Sequence, residues 1–409
     1  MPFVLPAQQA PQADAPKPLK GGLKTSSASG FVEVSAPFQR TLPSVSFPHL
    51  ASSASFPGLY RLSSPVHSVE EAVAALSRWA ETGDLKATLK AHGGALLLRG
   101  LPLSDPHAFS KIASASRVGT QPHEEVGRPP KRTVLAPAVS TANEGPAWAP
   151  IWTHNEYGWS LVHPSYILFF GFIPAENGGE TPINSGIELA DELKRRAPHF
   201  FRNLQDKGIL YSYRYTTETV DTSNSGSSVI SAYGKDVLPS DSPNVVREKV
   251  EAEVKRHSTR FNWHEDGSLT VWHRVPIIRT HHATGRDVFF GNLISAYARA
   301  KHHHALTAPY LGDDGGYHPI PYYGDGTLID VADLETANQI VEETKAEVNW
   351  EQGDVLILDN HTALHSRVPW EGERKILASL WDGEKFEDAQ NPWGEKQWEA
   401  HESGRVAEK

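Results

Sequence analysis

Apolar residues in the first third of the chain recur on one side of a helix. Between residues 70 and 89 they fall at Val73, Leu76, Trp79, Leu85 and Leu89, which predicts an amphipathic helix. The following short apolar run, residues 94–100, ends in glycine and is typical of a buried strand. Residues 106–115 return to helical spacing.

Strand patterns dominate from about residue 150 onward. Residues 166–172 form a continuous aromatic and aliphatic run, which predicts a strand buried on both faces. Residues 263–280 alternate around Asp266-Gly267, a strong hairpin signal. Shorter apolar runs predict three more strands, at residues 288–290, 355–358 and 376–381.

Helical patterns separate these strands. The first covers residues 185–197, with Ser185 as the N-cap and Glu188 completing a capping box. Three more cover residues 244–257, 292–304 and 331–345. The elements form no regular βαβ units, and we find neither an internal repeat nor a glycine-rich phosphate loop. The sequence therefore predicts an α+β protein, with a β-sandwich or barrel and helices packed outside it.

Composition narrows the class of protein. The chain has 409 residues, 39% of them hydrophobic, and a net charge of −10. It lacks an apolar run of the roughly 18 residues that span a bilayer. The negative charge argues against nucleic acid and against an anionic membrane surface as partners. Cysteine is missing, so disulfides, zinc–thiolate sites and cysteine nucleophiles are excluded, and any metal must use His, Asp, Glu or backbone oxygen.

The two ends of the chain differ from its middle. Residues 1–35 are expected to be a disordered tail rich in Pro, Ala and Ser, and residues 391–409 a polar C-terminal tail. The opening apolar stretch is too short and too interrupted for a signal peptide. We therefore expect a single domain over residues 45–390 and, by default, a cytoplasmic location.

Two segments about two hundred residues apart carry the candidate chemistry. His154 and Glu156 lie two positions apart, so on an extended strand both side chains point to one face. His365 in a distant strand would add a third ligand. Two histidines and one carboxylate are the ligand set of a non-heme iron(II) oxygenase. On its own, however, His-x-Glu is common, and a surface pair in a loop is the better explanation of it.

Three motifs that follow one another along the chain strengthen the interpretation as an iron site. They are His154-Asn155-Glu156, the Gly-Gly-Glu-Thr-Pro of residues 178–182, and Asp359-Asn360 followed by His365 and Arg374. With them the chain resembles taurine-dioxygenase-like, 2-oxoglutarate-dependent oxygenases, and more closely their clavaminate-synthase-like branch, over roughly residues 45–385. The resemblance implies a double-stranded β-helix (jelly-roll) core, bound Fe(II), and 2-oxoglutarate as cosubstrate.

The resemblance also assigns the cosubstrate residues. It implies that Arg374 binds the 5-carboxylate of 2-oxoglutarate, with help from the Thr181 hydroxyl. Adjacent strand residues face opposite ways, so only one of Arg374 and Lys375 can reach the pocket, and we prefer Arg374. Family position also favours His365 over His361 as the third iron ligand.

The histidines at residues 302–304 could be mistaken for a metal cluster, but we expect a solvated helix end there. Consecutive residues of a helix point in different directions.

The sequence indicates the type of reaction and the substrate less directly than it indicates the iron site. Halogenating relatives replace the ligand carboxylate with a small residue, so Glu156 predicts hydroxylation, desaturation or oxidative cyclisation. Asn155, Tyr157, Trp159 and Asn292 could line the substrate pocket, which would suit an amino acid or an amino-acid-derived metabolite of secondary metabolism.

Three alternatives stay open. They are a non-catalytic jelly-roll binding protein, a hydroxylase of a carrier-protein-tethered amino acid, and an iron oxygenase that has lost 2-oxoglutarate. The oligomeric state is left undecided.

Overall fold

The structure is a computed structural model. It describes residues 30–43, 54–64, 67–127, 132–142, 144–218 and 228–386. Residues 1–29 and 391–409, which contain most of the two expected tails, lie outside the described residues.

Helices α1 to α4 and α7 to α9 lie close to the ranges that the sequence predicts, whereas α5 and α6 were not predicted. Their bounds are α1 Val69–Glu81, α2 Asp84–Ala91, α3 Pro106–Ser116, α4 Gly186–Arg196, α5 Pro198–Lys207, α6 Val229–Tyr233, α7 Pro243–Val254, α8 Leu293–His302 and α9 Val331–Thr344.

Strands are short and numerous. In the first half of the chain they are β1 Phe31–Val34, β2 Arg40–Thr41, β3 Ser55–Phe56, β4 Gly58–Leu62, β5 Ala95–Arg99, β6 Gln121–Pro122, β7 Val134–Ala136, β8 Val139–Thr141, β9 Ile151–His154, β10 Tyr166–Ile173, β11 Asn177–Gly178 and β12 Thr181–Ser185. In the second half they are β13 Ile209–Tyr215, β14 Arg260–Trp263, β15 Leu269–Val275, β16 Ile278–Thr280, β17 Asp287–Phe289, β18 Tyr322–Tyr323, β19 Ala346–Val348, β20 Val355–Asp359, β21 Ala363–Arg367, β22 Trp370–Glu371 and β23 Lys375–Asp382.

One large sheet and one smaller sheet position the candidate site. The large sheet has the order β1-β4-β5-β20-β10-β23-β8-β7, with β6 beside β23, and the smaller one has the order β19-β12-β21-β9. Their pairings are antiparallel except for β4 with β5. Helices and strands thus form a mixed fold around a large sheet, which agrees with the expected class.

Two apolar cores hold these layers together. The first joins both sheets and includes Phe169 of β10 and Ile183 of β12. The second packs α1 and α3 on the other face of the large sheet, through residues such as Leu76, Phe109 and Phe170. The continuous apolar run of β10 is explained by this position, because its alternate residues face different cores.

Three further departures from the sequence-based expectations concern the first helix, β1 and the start of α4. The first helix is broken at Gly83, whose φ of 82° suits glycine and not a helical residue. Strand β1 lies inside the expected disordered tail, because Phe31 stacks on Trp79 at 5.0 Å between ring centroids. The capping box is incomplete: Ser185 caps α4, but the Glu188 carboxylate pairs with Arg40.

Across the described residues, no helix is long and apolar enough to cross a membrane.

A buried ion pair ties the loop before β20 to β5. The Asp354 side chain is fully buried and accepts hydrogen bonds from Arg99, whose own side chain is 6% exposed. Arg99 also pairs with Glu351, but that carboxylate is 55% exposed.

We expect Asp354→Ala to lower the free energy of unfolding by about 3–5 kcal/mol, because it leaves a buried guanidinium without its buried partner. Glu351→Ala is the matched control and should cost no more than about 1 kcal/mol. Urea unfolding of the two variants measures both values. Equal losses would contradict the assigned difference between buried and exposed partners.

Candidate active site

The pairing of two strands brings the distant histidines together. His154 ends β9 and His365 lies in β21, and the two residues are direct partners in the antiparallel register. Directly opposed residues point to the same face of a sheet. Glu156 follows in the turn after β9, so a local pair and a residue from 211 positions later share one site.

The three side chains present their ligand atoms at metal-binding separations. Glu156 Oε2 lies 3.5 Å from His365 Nε2 and 3.9 Å from His154 Nε2. Within the described ranges, only two groups of three His, Asp or Glu residues bring one ligand atom each within 4.8 Å of one another, and this is one of them. One ion at about 2.0–2.2 Å from each atom fits this spacing.

Hydrogen bonds prepare His154 as a ligand. Its Nδ1 lies 2.8 Å from the carbonyl oxygen of Trp152, so Nδ1 carries the proton and the Nε2 lone pair faces the site. Burial and the neighbouring His365 lower the pKa of His154 to about 4, which keeps the imidazole neutral. The His365 ring packs against Phe169 at 5.1 Å.

Arg132 holds the ligand carboxylate, and the sequence analysis missed it. The guanidinium donates to Glu156 Oε1 at 2.8 Å and to Glu125 Oε1 at 2.7 Å. Burial by itself would raise the pKa of Glu156, but the charge of Arg132 and the side-chain contact with His365 outweigh burial and lower it. Glu156 is therefore ionised, with Oε1 occupied and Oε2 facing the histidines. Arg132 carries no motif that could have identified it in the sequence.

Asn360 fixes the backbone of Glu156. Its side chain accepts from the Glu156 N–H at 2.9 Å and donates to the carbonyl oxygens of Glu156 and Pro164 at 3.0 and 2.8 Å. Asp359 accepts from the His361 N–H at 3.0 Å. The Asp359-Asn360 turn thus works through side-chain-to-backbone bonds, and it also fixes the segment that carries Glu156.

Arg374 faces the core between the sheets. It lies just before β23 and has the same parity as Ile376 and Ala378, which belong to that core. Its Nε donates to the Gly179 carbonyl at 2.9 Å. Lys375 points the other way, with its ammonium 5.8 Å from the ring centroid of Phe172.

The guanidinium of Arg374 is suited to a bound anion. Burial and the nearby Arg367 lower the pKa of Arg374 to about 9. The carboxylates of Glu125 and Glu156 pair with Arg132 and the histidines. Among the described residues, no carboxylate forms a salt bridge with Arg374. A carboxylate brought by a ligand would therefore complete a charge-assisted pair.

Thr181 lies on the same face as His365. It is two residues before Ile183, the strand partner of His365. The Thr181 hydroxyl oxygen accepts a hydrogen bond from Trp350 Nε1 at 3.0 Å. Its proton is then free to be donated.

The residues that the sequence suggested as substrate contacts are two asparagines and two aromatic residues. Asn155 is completely buried, donates to Asn360 and Ala363 carbonyls, and accepts from the Gly291 N–H. Asn292 stands at the N-cap position of α8, without a side-chain hydrogen bond to the helix. The contact of either asparagine with a substrate stays a prediction.

Tyr157 and Trp159 remain near the site. Tyr157 is buried. Trp159 packs edge-on against Tyr213 and His273.

Two other histidine positions of the sequence lie outside the group of His154, Glu156 and His365. His361 is buried against Phe386 at 4.2 Å and does not belong to the triad. His302 and His304 are exposed, as expected of a solvated helix end, but the His303 side chain is only 12% exposed and faces Asp314. The reason is a loop at residues 310–318 that folds back over the end of α8.

Two histidines and one carboxylate around one position are the ligand set of mononuclear non-heme iron(II) oxygenases. Residues 66–381 match the family described as taurine catabolism dioxygenase TauD, TfdA family. The chain belongs to this family and is a 2-oxoglutarate-dependent non-heme iron dioxygenase, with Fe(II) and 2-oxoglutarate as cofactor and cosubstrate. The expected family and activity are confirmed, and the non-catalytic alternative is set aside.

Three individual proteins to which this chain is similar share fewer than a third of the aligned residues with it. A clavaminate synthase-like protein of Arabidopsis thaliana is 29% identical over 294 residues, covering 70% of this chain and 81% of the relative. The dapdiamide synthesis protein DdaC of Enterobacter agglomerans is 26% identical over 314 residues, covering 74% and 86%. An asparagine oxygenase solved with Fe(II), hydroxyasparagine and succinate shows 13% identity and a TM-score of 0.45, over 76% of this chain and 83% of that one.

We expect Asn360→Ala to weaken both the fold and the metal site. It leaves three buried backbone groups without a partner, at about 1–3 kcal/mol each, and frees the turn that carries Glu156. The free energy of unfolding should fall by at least about 3 kcal/mol, and anaerobic Fe(II) affinity by about 10- to 100-fold.

Asn177→Ala is the control, since Asn177 is exposed and bonds only Glu371 at 3.2 Å within the described residues. It should change stability by no more than about 0.5 kcal/mol. Unchanged iron binding in Asn360→Ala would contradict the positioning role of Asn360.

Proposed function

We propose that His154, Glu156 and His365 hold the iron and that Arg374 and Thr181 bind the 5-carboxylate of 2-oxoglutarate. The observation that supports this most strongly is the convergence of three ligand atoms within 4.8 Å from β9, its turn and β21. We further propose that the substrate is an amino acid or a close derivative.

We infer that the two sheets form the double-stranded β-helix of this family. Support comes from the antiparallel order of both sheets and from the apolar core that they share. The contact of Phe169 in β10 with His365 in β21 joins one sheet to the other beside the metal ligands. The iron site then lies between the sheets, where apolar side chains exclude water.

The residues of this chain prepare the reaction in three ways. When bound, iron and 2-oxoglutarate together supply the oxidising chemistry that acts on a substrate C–H bond. Glu156 stays ionised because Arg132 lies beside it, and His154 stays neutral because it is buried. Arg374 orients the cosubstrate through its far carboxylate, so that the other end is directed to the metal ligands.

The ligand carboxylate narrows the outcome. Because Glu156 occupies the position that halogenating relatives leave small, we propose hydroxylation, desaturation or oxidative cyclisation and not halogenation. Its carboxylate is fixed from both sides, by Arg132 at the side chain and Asn360 at the backbone.

Charged groups next to Glu156 favour a zwitterionic substrate. Arg132 and Glu125 present opposite charges at adjacent positions. Two buried polar atoms near them, Arg132 Nε and His123 Nε2, make no hydrogen bond within the described residues. A substrate with ammonium and carboxylate groups would satisfy such atoms, whose isolation is otherwise costly. The part that one relative plays in dapdiamide synthesis agrees with an amino-acid-like substrate in secondary metabolism.

Arg374→Gln should raise the KM for 2-oxoglutarate by about 10- to 100-fold, because a hydrogen bond to a charged group contributes about 1.5–3 kcal/mol. Lys375→Gln is the matched control and should leave KM within about twofold, since its side chain faces the other core. Initial rates of succinate release against 2-oxoglutarate concentration measure both. A larger effect of Lys375→Gln would reverse the assignment.

Succinate release in the presence of candidate substrates tests the function. We expect selected amino acids or their derivatives to stimulate release over the substrate-free rate, and Glu156→Ala to abolish the stimulation. Aminoacyl carrier proteins should be assayed in parallel. Stimulation by the tethered form alone would overturn the proposal of a free amino acid and leave the iron site assignment intact.

A further inference from the structure

A second group of metal-ligand side chains lies at the C-terminal end of α8. It consists of His303, Asp314 and His318, whose ligand atoms also all lie within 4.8 Å of one another. Asp314 Oδ1 is 2.8 Å from His318 Nε2, and Asp314 Oδ2 is 3.7 Å from His303 Nε2. This group, which we call the α8 cluster, shares no residue with the iron site.

The α8 cluster resembles the iron triad in its dimensions. Its two imidazole rings lie 4.5 Å apart between centroids, against 4.4 Å for His154 and His365. Ligand atoms at about 2.0–2.1 Å from a tetrahedral ion lie about 3.4 Å from one another. The separations of 2.8 and 3.7 Å in the cluster bracket this value.

Backbone hydrogen bonds hold the loop that supplies two of the ligands. The Asp313 N–H donates to the His303 carbonyl at 3.3 Å, and the His318 N–H donates to the Tyr310 carbonyl at 2.8 Å. Leu311 and Tyr317 form an antiparallel bridge between them. The loop is thus a small hairpin fixed to the end of α8, and the Asp314 side chain also accepts a hydrogen bond from the Gly316 N–H at 2.9 Å.

His303 is oriented like a metal ligand. Its Nδ1 lies 2.8 Å from Asp313 Oδ1, so this nitrogen donates to a carboxylate and Nε2 points at Asp314. In metal sites a histidine commonly donates its second N–H to a carboxylate in this way, which fixes the ring and the tautomer. Without a cation or an added proton, the Nε2 lone pair would face a carboxylate oxygen.

His318 is completely buried, although only one of its two ring nitrogens has a hydrogen-bond partner among the described residues. Its side chain is 0% exposed, and its Nδ1 makes no hydrogen bond in the described part of the chain. The charge of Arg299 also acts on His318. Arg299 opposes a cation, while Asp313 and Asp314 favour one.

We propose that the α8 cluster is a second metal site, which takes Zn²⁺ or a similar borderline divalent cation through His303, Asp314 and His318. Two imidazoles and one carboxylate suit Zn²⁺, with water as the fourth ligand. The site goes beyond the dioxygenase function, because it requires neither iron nor 2-oxoglutarate.

The position of the cluster gives the metal a structural role. It fastens residues 310–318 to the end of α8, and Trp152 packs against His302 and His303 at 5.3 and 6.4 Å between ring centroids. Trp152 lies two residues before His154 in β9. The second metal therefore supports the strand that carries an iron ligand.

Metal binding by a chain whose iron site has been removed tests the proposal. The full-length His154→Ala/His365→Ala variant is stripped with a chelator and titrated with Zn²⁺ and with Co²⁺. We expect one equivalent of Zn²⁺ to bind and to raise Tm, and Co²⁺ to give the visible absorption of a four-coordinate site. Adding Asp314→Asn should abolish that equivalent, and adding Asp313→Asn should weaken it by about 10- to 100-fold.

His304→Asn is the matched control in the same background. His304 is exposed beside the cluster, and asparagine tolerates its left-handed backbone, with φ of 55°. This variant should still bind one equivalent. Circular dichroism shows whether each variant is folded, and a folded His318→Asn variant serves as a second ligand deletion.

Absence of Zn²⁺ binding in the background variant would overturn the proposal and leave a hydrogen-bonded loop closure. Binding that survives both ligand deletions would overturn it as well. Because the iron ligands are already removed, neither result depends on the proposed dioxygenase function.

Discussion

The register between β9 and β21 is the constraint on which the rest of the site depends. It places His154 opposite His365, and a shift by one residue would turn one of the two side chains to the other face of the sheet. The apolar core fixes this register, because Ile183 of β12 is the next partner of His365 and lies fully buried. The same packing that holds the sheets together therefore also positions the two histidines.

A second constraint is the ionised carboxylate of Glu156 in a buried place. Burial opposes its charge, and Arg132 and Asn360 supply the compensating interactions. These contacts leave one carboxylate oxygen directed at the histidines. The buried anion of Glu156 suits the divalent cation that we propose there, and the half-buried cation of Arg374 suits the anionic cosubstrate that we propose at the other end of the site.

The sequence predicted those features that are carried by local pattern or by a motif. Helical spacing placed α7, α8 and α9 within a few residues, and Asp266-Gly267 correctly marked the turn between β14 and β15. It could not predict Arg132, which reaches Glu156 from a loop 24 positions earlier without any motif. Nor could it predict that His303 would meet His318, because that contact depends on how one loop folds over a helix end. The three consecutive histidines correctly predicted an exposed helix end at His302 and His304, and the loop changes this only for His303.

The most direct measurement is a crystal structure of the full chain with Fe(II) and 2-oxoglutarate, grown without oxygen and recorded at the iron absorption edge. The account predicts one iron peak within about 2.0–2.2 Å of His154 Nε2, Glu156 Oε2 and His365 Nε2, with the 5-carboxylate of 2-oxoglutarate on Arg374. An iron peak that lacks any of the three ligands, or a 5-carboxylate bound to Lys375, would contradict it.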